Sequence, residues 1–446
     1  MKGFNRFLWD YESSSRENLY GLFASHGALL IANSEKDLEV HDVKHGWDWT
    51  KVPGATTIAM ATKSVDDLDM GGKGRFYNPR SLAGGLTFKG SRHLENGLFG
   101  MDFKQPQYGL KDWRKKIEFE FKKSVFFFEN LLVCLGSNIL AEKTNGNIVQ
   151  TTLFQDKLVD GVNSSLIKID GVPKRYSPTF SAMTPSSLDR NYTTLTDAKG
   201  NRYFIPNSSR SMLKVRVENQ ISKTDNGKKK TSGHYGTAWF EHDKSHSDYE
   251  YAVLIPTTSN DSQLADGIST AQETLGSEIY RVLKRDPTAH VVQFLPSKQL
   301  AGPDLNFPLT GYVMFAAAKS LPLDGPVEAV NEDNCLVMAE ETEDAIYLSI
   351  SSPDLNLNTK GGPLHGSNDV GVELLYQSSS QEREIDVTLK KTVDTTTNDV
   401  KVHGKPDAYD AIVKVDDEGK IVRFLNLKNG FSVEVKLKKK KKNIVS

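Results

Sequence analysis

Apolar residues along this chain come either in alternation with polar ones or in short unbroken runs, and both patterns predict strands. Residues 116–121 alternate charge with Ile117, Phe119 and Phe121, the period of a strand with one buried face. Apolar runs at 124–128 and 131–135 flank Glu129-Asn130, which reads as a tight hairpin turn. The consecutive phenylalanines Phe126, Phe127 and Phe128 imply burial on both faces, as in the middle of packed sheets. Runs at 22–32, with Gly27 inside, at 38–43 and at 56–60 predict strands near the N-terminus. The series continues at 166–169, 213–217, 236–241, 249–255 and 290–295. Helical spacing is scarce, and 269–285 reads as either helix or strand. Turn pairs recur: Asn78-Pro79, Asn145-Gly146, Asp160-Gly161 and Asp170-Gly171. The predicted fold class is all-β, with large antiparallel sheets packed face to face.

A boundary is expected at 321–326, where Pro322 and the turn Asp324-Gly325-Pro326 interrupt the strands. Strands resume at 327–330, 335–339 and 346–350. This divides the chain into a large β domain over 1–321 and a smaller C-terminal β-sandwich over 327–446. The last strand, 431–437, runs into five lysines, Lys438 to Lys442. That run reads as a solvated tail guarding an edge strand, with anion binding as the alternative. Lys228-Lys229-Lys230, beside Asp225-Asn226-Gly227, reads as an exposed loop.

Composition narrows the function classes. The chain has 446 residues and a formal net charge of -1, so no global field steers it to nucleic acid or to a membrane surface. No apolar run approaches the length of a membrane span. No export signal opens the sequence. Cys134 and Cys335 sit inside apolar runs and read as buried free thiols, too few for a disulfide framework.

Two clusters carry candidate chemistry. The first is Tyr11 to Gly21, dense in polar side chains: Glu12, Arg16, Glu17 and Asn18 precede an apolar run. It reads either as an ordinary surface turn or as a loop holding side chains at the edge of a cleft. The second is Gly46-Trp47-Asp48-Trp49, ahead of the turn at Pro53-Gly54. Two tryptophans two apart point the same way on an extended chain. They either stack on sugar rings or fill a core. Metal spacings are weak: His41 with His45 and His242 with His246 are each four apart, without the helix a zinc pair needs. Residues 64–69, Ser-Val-Asp-Asp-Leu-Asp, suit calcium or plain solvation, so no cofactor is expected. His26, inside an apolar run, reads as a structural histidine.

Taken together, the clusters and several further pieces resemble polysaccharide lyase family 8, chondroitinase ABC type. The matching pieces occur in family order: Gly3-Phe-Asn-Arg-Phe, Tyr11-Glu-Ser, Glu17-Asn-Leu-Tyr-Gly, Gly46-Trp-Asp-Trp, Pro53-Gly-Ala-Thr-Thr, Lys123-Ser-Val-Phe-Phe-Phe-Glu-Asn, Leu135-Gly-Ser-Asn-Ile, Tyr249-Glu-Tyr-Ala and Ser352-Pro-Asp-Leu-Asn-Leu. The resemblance implies a helical toroid, a β super-sandwich and a small C-terminal β domain, of which this chain looks like the second and third. It implies β-elimination on an acidic glycosaminoglycan, chondroitin or dermatan sulfate and also hyaluronan, in an extracellular or periplasmic setting. The histidine, tyrosine and arginine of that reaction are expected on the toroid, absent here or separately encoded. One glutamate is expected from the super-sandwich to orient the arginine and tyrosine. It resembles Glu12, with Glu17 as runner-up, while Ser15 stands where some relatives carry asparagine. Arg16, Asn18, Trp47 and Trp49 are the expected substrate contacts. A docking face for the toroid is expected near residues 1–60, with exposed apolar surface. The alternatives are a non-catalytic glycan-binding β-sandwich and a structural fragment.

Overall fold

The computed structural model describes residues 2–3, 21–32, 39–59, 82–92, 94–105, 118–142, 144, 147–158, 167–174, 192–224, 228–245, 247–256, 279–295, 307–353, 359–360, 375–376, 382–396, 399–404 and 411–440. Four antiparallel sheets stack in succession with a hydrophobic core between each neighbouring pair. The outer sheet has four strands, in the order Leu213–Lys223, Lys230–His242, Ile148–Lys157, Thr56–Ala59. The next has nine, running from Val172–Lys174 at one edge through Tyr249–Leu254, Leu131–Glu142 and Glu118–Phe128 to Leu82–Phe88 at the other. A seven-stranded sheet runs from Tyr280–Arg285 to Asp399–His403. A second four-stranded sheet, led by Val327–Val330, closes the stack.

This layering explains the unbroken apolar runs. Successive side chains of a strand point to opposite faces, so a strand with a core on each side must be apolar at every position. Leu131, Val133 and Leu135 join the core against the seven-stranded sheet, whereas Leu132 and Cys134 join the core against the outer sheet. Phe126 and Phe128 likewise face one way, and Phe127 packs against the other core. One layer on, Leu336 and Met338 face the nine-stranded sheet, and Cys335, Val337 and Ala339 face the C-terminal one. Both cysteines are free and buried.

Several expectations change in detail. The described part of 116–121 and the run 124–128 are parts of one strand, Glu118–Phe128, paired with the long strand Leu131–Glu142. Within 22–32 only His26–Ala28 is strand, preceded by a 3-10 turn over Gly21–Ser25. The described part of 38–43 is loop rather than strand, because the Asp42 carbonyl is taken by the Tyr235 hydroxyl at 2.7 Å instead of a neighbouring strand. From the ambiguous 269–285, residues 280–285 form a strand and 269–278 lie outside the described residues. The 321–326 segment is a turn, but Leu309–Met314 and Cys335–Glu341 on either side of it are direct neighbours in the seven-stranded sheet. At this point the chain leaves the seven-stranded sheet for Val327–Val330 of the second four-stranded sheet and returns to it at Cys335–Glu341. No helix among the described residues is long and apolar enough to cross a membrane.

Candidate functional site

Glu12, Arg16, Glu17 and Asn18 lie outside the described residues. The stem of their segment is described. Strand Lys2–Gly3 pairs with His26–Ala28, Lys2 opposite Ala28 and Gly3 opposite His26, so the chain leaves and returns at one place. Just beyond, the Leu29 amide donates to the Pro53 carbonyl at 2.8 Å, which joins the stem to the loop entering strand Thr56–Ala59.

Lys123, on strand Glu118–Phe128, lies beneath this junction and is fully buried. Its ammonium donates to the Gly27 carbonyl at 2.8 Å and to the Gly54 carbonyl. Both glycines have positive φ, 81° and 79°. Both are also crowded: a Cβ at Gly27 would meet Lys123 Cδ at 2.7 Å, and one at Gly54 would meet the Leu29 amide at 2.4 Å. Only glycine can turn its carbonyl inward at such a place without strain. Burial pushes the Lys123 ammonium down to about 8, and the neighbouring Cys134 thiol opposes this only in part. Lys123 was absent from the expected site residues. It had one visible mark: it falls in phase with Phe119, Phe121 and Val125 on the core face of an alternating strand, where a lysine is out of place.

Trp47 and Trp49 are both buried. Trp47 packs edge-on against Tyr235 and His41, and Trp49 Nε1 donates to the Lys223 carbonyl at 3.1 Å. Around them, the Asp48 amide donates to Gln155 Oε1 at 2.8 Å, and Gln155 Nε2 returns bonds to the Asp48 and Lys51 carbonyls. Of the two roles open to them, these indoles fill a core. They clamp loop 39–55 onto the outer sheet, so a sugar has no access to their faces in this chain.

The remaining titratable clusters are structural. His26 is buried against the rings of Phe23 and Phe103. His290 lies between Ser124 Oγ, 2.7 Å from its Nδ1, and Ser137 Oγ, 2.8 Å from its Nε2. It resembles a base beside a nucleophile but is fully closed off, and burial pushes it down to about 3, so it stays neutral. Asp156 and Asp197 share the ammonium of Lys199 at 2.5 and 3.2 Å, all three nearly inaccessible. Burial and the Asp197 charge push Asp156 up to about 7. His45 Nδ1 bonds to Asp42 at 2.6 Å and His242 Nε2 to Thr151 at 2.8 Å, while His246 and the 64–69 loop lie outside the described residues. Among the described residues no three His, Cys, Asp or Glu side chains gather as metal ligands. Within 1–60, Leu30 is the large apolar side chain left exposed among the described residues.

The stacked antiparallel sheets define a β super-sandwich. The family model for polysaccharide lyase family 8, super-sandwich domain, matches residues 6–266, and the chain belongs to that family. It is 28% identical over 392 residues to the chondroitin sulfate ABC endolyase of Proteus vulgaris, covering 86% of this chain and 34% of that protein. It is also 28% identical over 466 residues to the chondroitin sulfate ABC exolyase of Bacteroides thetaiotaomicron, covering 98% and 39%. The chain thus spans little more than a third of these relatives. Among solved structures, Paenibacillus xanthan lyase superposes with a TM-score of 0.65 at 19% identity, over 99% of this chain and 36% of its own. The chondroitin AC lyase of Streptomyces coelicolor A3 gives 0.63 at 17% identity, over 98% and 47%. At those identities the likeness is one of fold.

Proposed function

We propose that this chain is the β-sandwich part of a lyase that cleaves a chondroitin-type glycosaminoglycan by β-elimination. The observation that carries this reading is the 28% identity to two chondroitin sulfate ABC lyases, one of them over 98% of the chain. In the reaction a base takes the C5 proton of the uronate, the C4–O bond breaks, and a C4–C5 double bond forms. The glycosidic oxygen leaves with a proton. The C5–H bond is weakly acidic, so the uronate carboxylate must be neutralised and the acid and base held in register.

Glu12 is the group we assign to this chain's share of the chemistry, with Glu17 as the second choice. Its role is to orient an arginine and a tyrosine on a helical domain through charge-assisted hydrogen bonds. Arg16 and Asn18 are the proposed substrate contacts beside it. The stem tied to Lys123 supports this reading, because a positioning carboxylate must be carried on a fixed base. We place the reaction in an extracellular or periplasmic setting, where such polymers are met.

The test is elimination from chondroitin sulfate, followed by the absorbance of the unsaturated uronate. The pure chain is expected to give no product, and product is expected once the chain is joined to a family helical domain. Glu12→Gln in the joined enzyme is expected to lower kcat on the order of 10²-fold, the cost of a misplaced reacting group. Product from the chain alone, or full turnover by Glu12→Gln, would overturn the assignment.

A further inference from the structure

We propose that the turn 197–201 is a proton-operated latch: one proton held between two buried carboxylates keeps it fastened to the outer sheet, and loss of that proton frees it. The turn joins Tyr192–Thr196 to Arg202–Pro206 in the nine-stranded sheet. It reaches across to Asp156, near the end of strand Ile148–Lys157 of the outer sheet. Asp156 accepts from the Ala198 amide at 3.0 Å and from the Lys199 ammonium at 2.5 Å. The same ammonium lies 3.2 Å from Asp197. The edge of one sheet is thereby tied to the next through charged groups that water does not reach.

The charges at this tie do not balance. Two carboxylates face one ammonium, and among the described residues neither carboxylate pairs with another cation. Gly236, opposite Asp156 in the ladder, brings no charge. Tyr203, on the return strand of the hairpin, keeps its proton, since burial and the charges of Asp197 and Asp156 push it well above its ordinary value. Two carboxylates sharing a dry site cannot both ionise without a large cost, so the pair keeps a proton that separate carboxylates would have lost. Asp197 is the better furnished for negative charge. It accepts from the Lys199 and Asn201 amides, each at 2.9 Å, from Asn201 Nδ2 at 2.8 Å and from the Tyr203 hydroxyl at 3.3 Å. Asp156 has fewer donors and takes the proton. Burial and the Asp197 charge accordingly hold Asp156 well above the ordinary carboxylate range.

With the proton in place the three groups sum to neutrality. Without it, a buried negative charge is left with no counter-ion, which is costly. Water is the available relief, and the turn is placed to admit it. Ala198, Lys199 and Gly200 are only half-buried. A Cβ at Gly200 would meet nothing nearer than Pro256 Cγ at 3.9 Å, so the tip is open on that side. A closed turn that holds a proton the open turn has released is favoured at low pH. The advantage fades as pH rises from the ordinary carboxylate range to neutrality.

The experiment is amide hydrogen exchange of the full chain at 198–201 from pH 5 to 8. Each rate is set against Asp156→Asn at the same pH, so that the chemical rate of exchange cancels. Opening of the turn is expected to rise about tenfold more per pH unit in the unaltered chain than in the variant until neutrality, and to run parallel above it. Residues 131–135 in the core are expected to show no such difference. Lys199→Met removes the cation and is expected to move the levelling point to higher pH. Asp197→Asn removes the second carboxylate and is expected to move it lower. Should Asp156→Asn fold poorly, these two opposed shifts, read against the unaltered chain, carry the same test. An equal rise in Asp156→Asn, or shifts of one sign in the other two variants, would overturn the proposal. None of these readouts involves elimination, so the outcome is separate from the lyase reading.

Discussion

The two faces of the nine-stranded sheet each bury a cation, and they treat it in opposite ways. Arg92, in the turn between Leu82–Phe88 and Asn96–Lys104, points toward the seven-stranded sheet. Its Nε bonds to Glu340 at 3.0 Å, its Nη1 meets Glu129 at 3.5 Å, and its Nη2 donates to the Phe307 carbonyl at 2.6 Å. Glu340 also accepts from the Ser91 amide and hydroxyl, and Glu434 accepts from the Lys89 and Gly90 amides. Carboxylates of one sheet thus grip a turn of the next, and the cation between them is compensated. On the other face, no carboxylate among the described residues pairs with Lys123, which has only the Gly27 and Gly54 carbonyls. A buried charge without a counter-ion is costly, and a hydrophobic residue of similar size would spare that cost. The layer junction is built for stability. The stem junction holds two backbone turns in place at the expense of stability.

The hardest blow to this contrast would come from Glu340. Glu340→Ala strands the Arg92 guanidinium in a dry interface and is expected to cost about 3–5 kcal/mol in denaturant unfolding. Replacing both Arg92 and Glu340 by methionine is expected to recover much of that loss. A small effect of the single change would mean that the junction is not held by this pair.

Next in size is the pH dependence contributed by Lys123. Its folded-state value of about 8 lies below the ordinary 10.5, so above pH 8 the folded chain gives up this proton before the unfolded chain does. Stability should therefore rise with pH across roughly 8 to 10.5 relative to Lys123→Met, which lacks the group. The rise is about 3 kcal/mol in all, at about 1.4 kcal/mol per pKa unit. Parallel pH profiles for the two proteins would show that Lys123 keeps its ordinary proton affinity and that the two cations are compensated alike.

Much of the layered fold could be read from the sequence, because two-sided burial leaves a direct trace. Phe126 to Phe128 and 131–135 are apolar at consecutive positions, which a strand with one wet face cannot be. The loop at 39–55 was harder to read. Its apolar residues pack against the outside of a sheet, and nothing local distinguishes that from a strand. Tyr235, Gln150 and Gln155, which hold it, are 100 or more residues away. The same holds for the boundary near 321–326: a turn is a local feature, whereas the pairing of the strands on either side of it is not. Trp47 and Trp49 illustrate the limit for function. A tryptophan pair suits a sugar platform or a core equally well, and only the Gln155 and Lys223 contacts around it favour the core. Lys123 was marked by its phase in the strand, but the carbonyls that receive it come from two other segments.

The smallest expected effect is also the one that most sharpens the contrast. Lys123→Met removes an uncompensated charge and leaves two carbonyls without their donor. The first change favours the folded chain, and the second costs about 1–3 kcal/mol. The net change in global stability at neutral pH should accordingly be well below that of Glu340→Ala. The loss should instead be local. Amide hydrogen exchange in 21–32 and 52–56 is expected to speed up about tenfold, with 131–135 in the core unchanged, since elements open in separate cooperative units. Uniform acceleration across the chain would make Lys123 one more core residue. No acceleration at all would mean that the stem stands without it, and the base proposed for the Glu12 segment would have to be sought elsewhere.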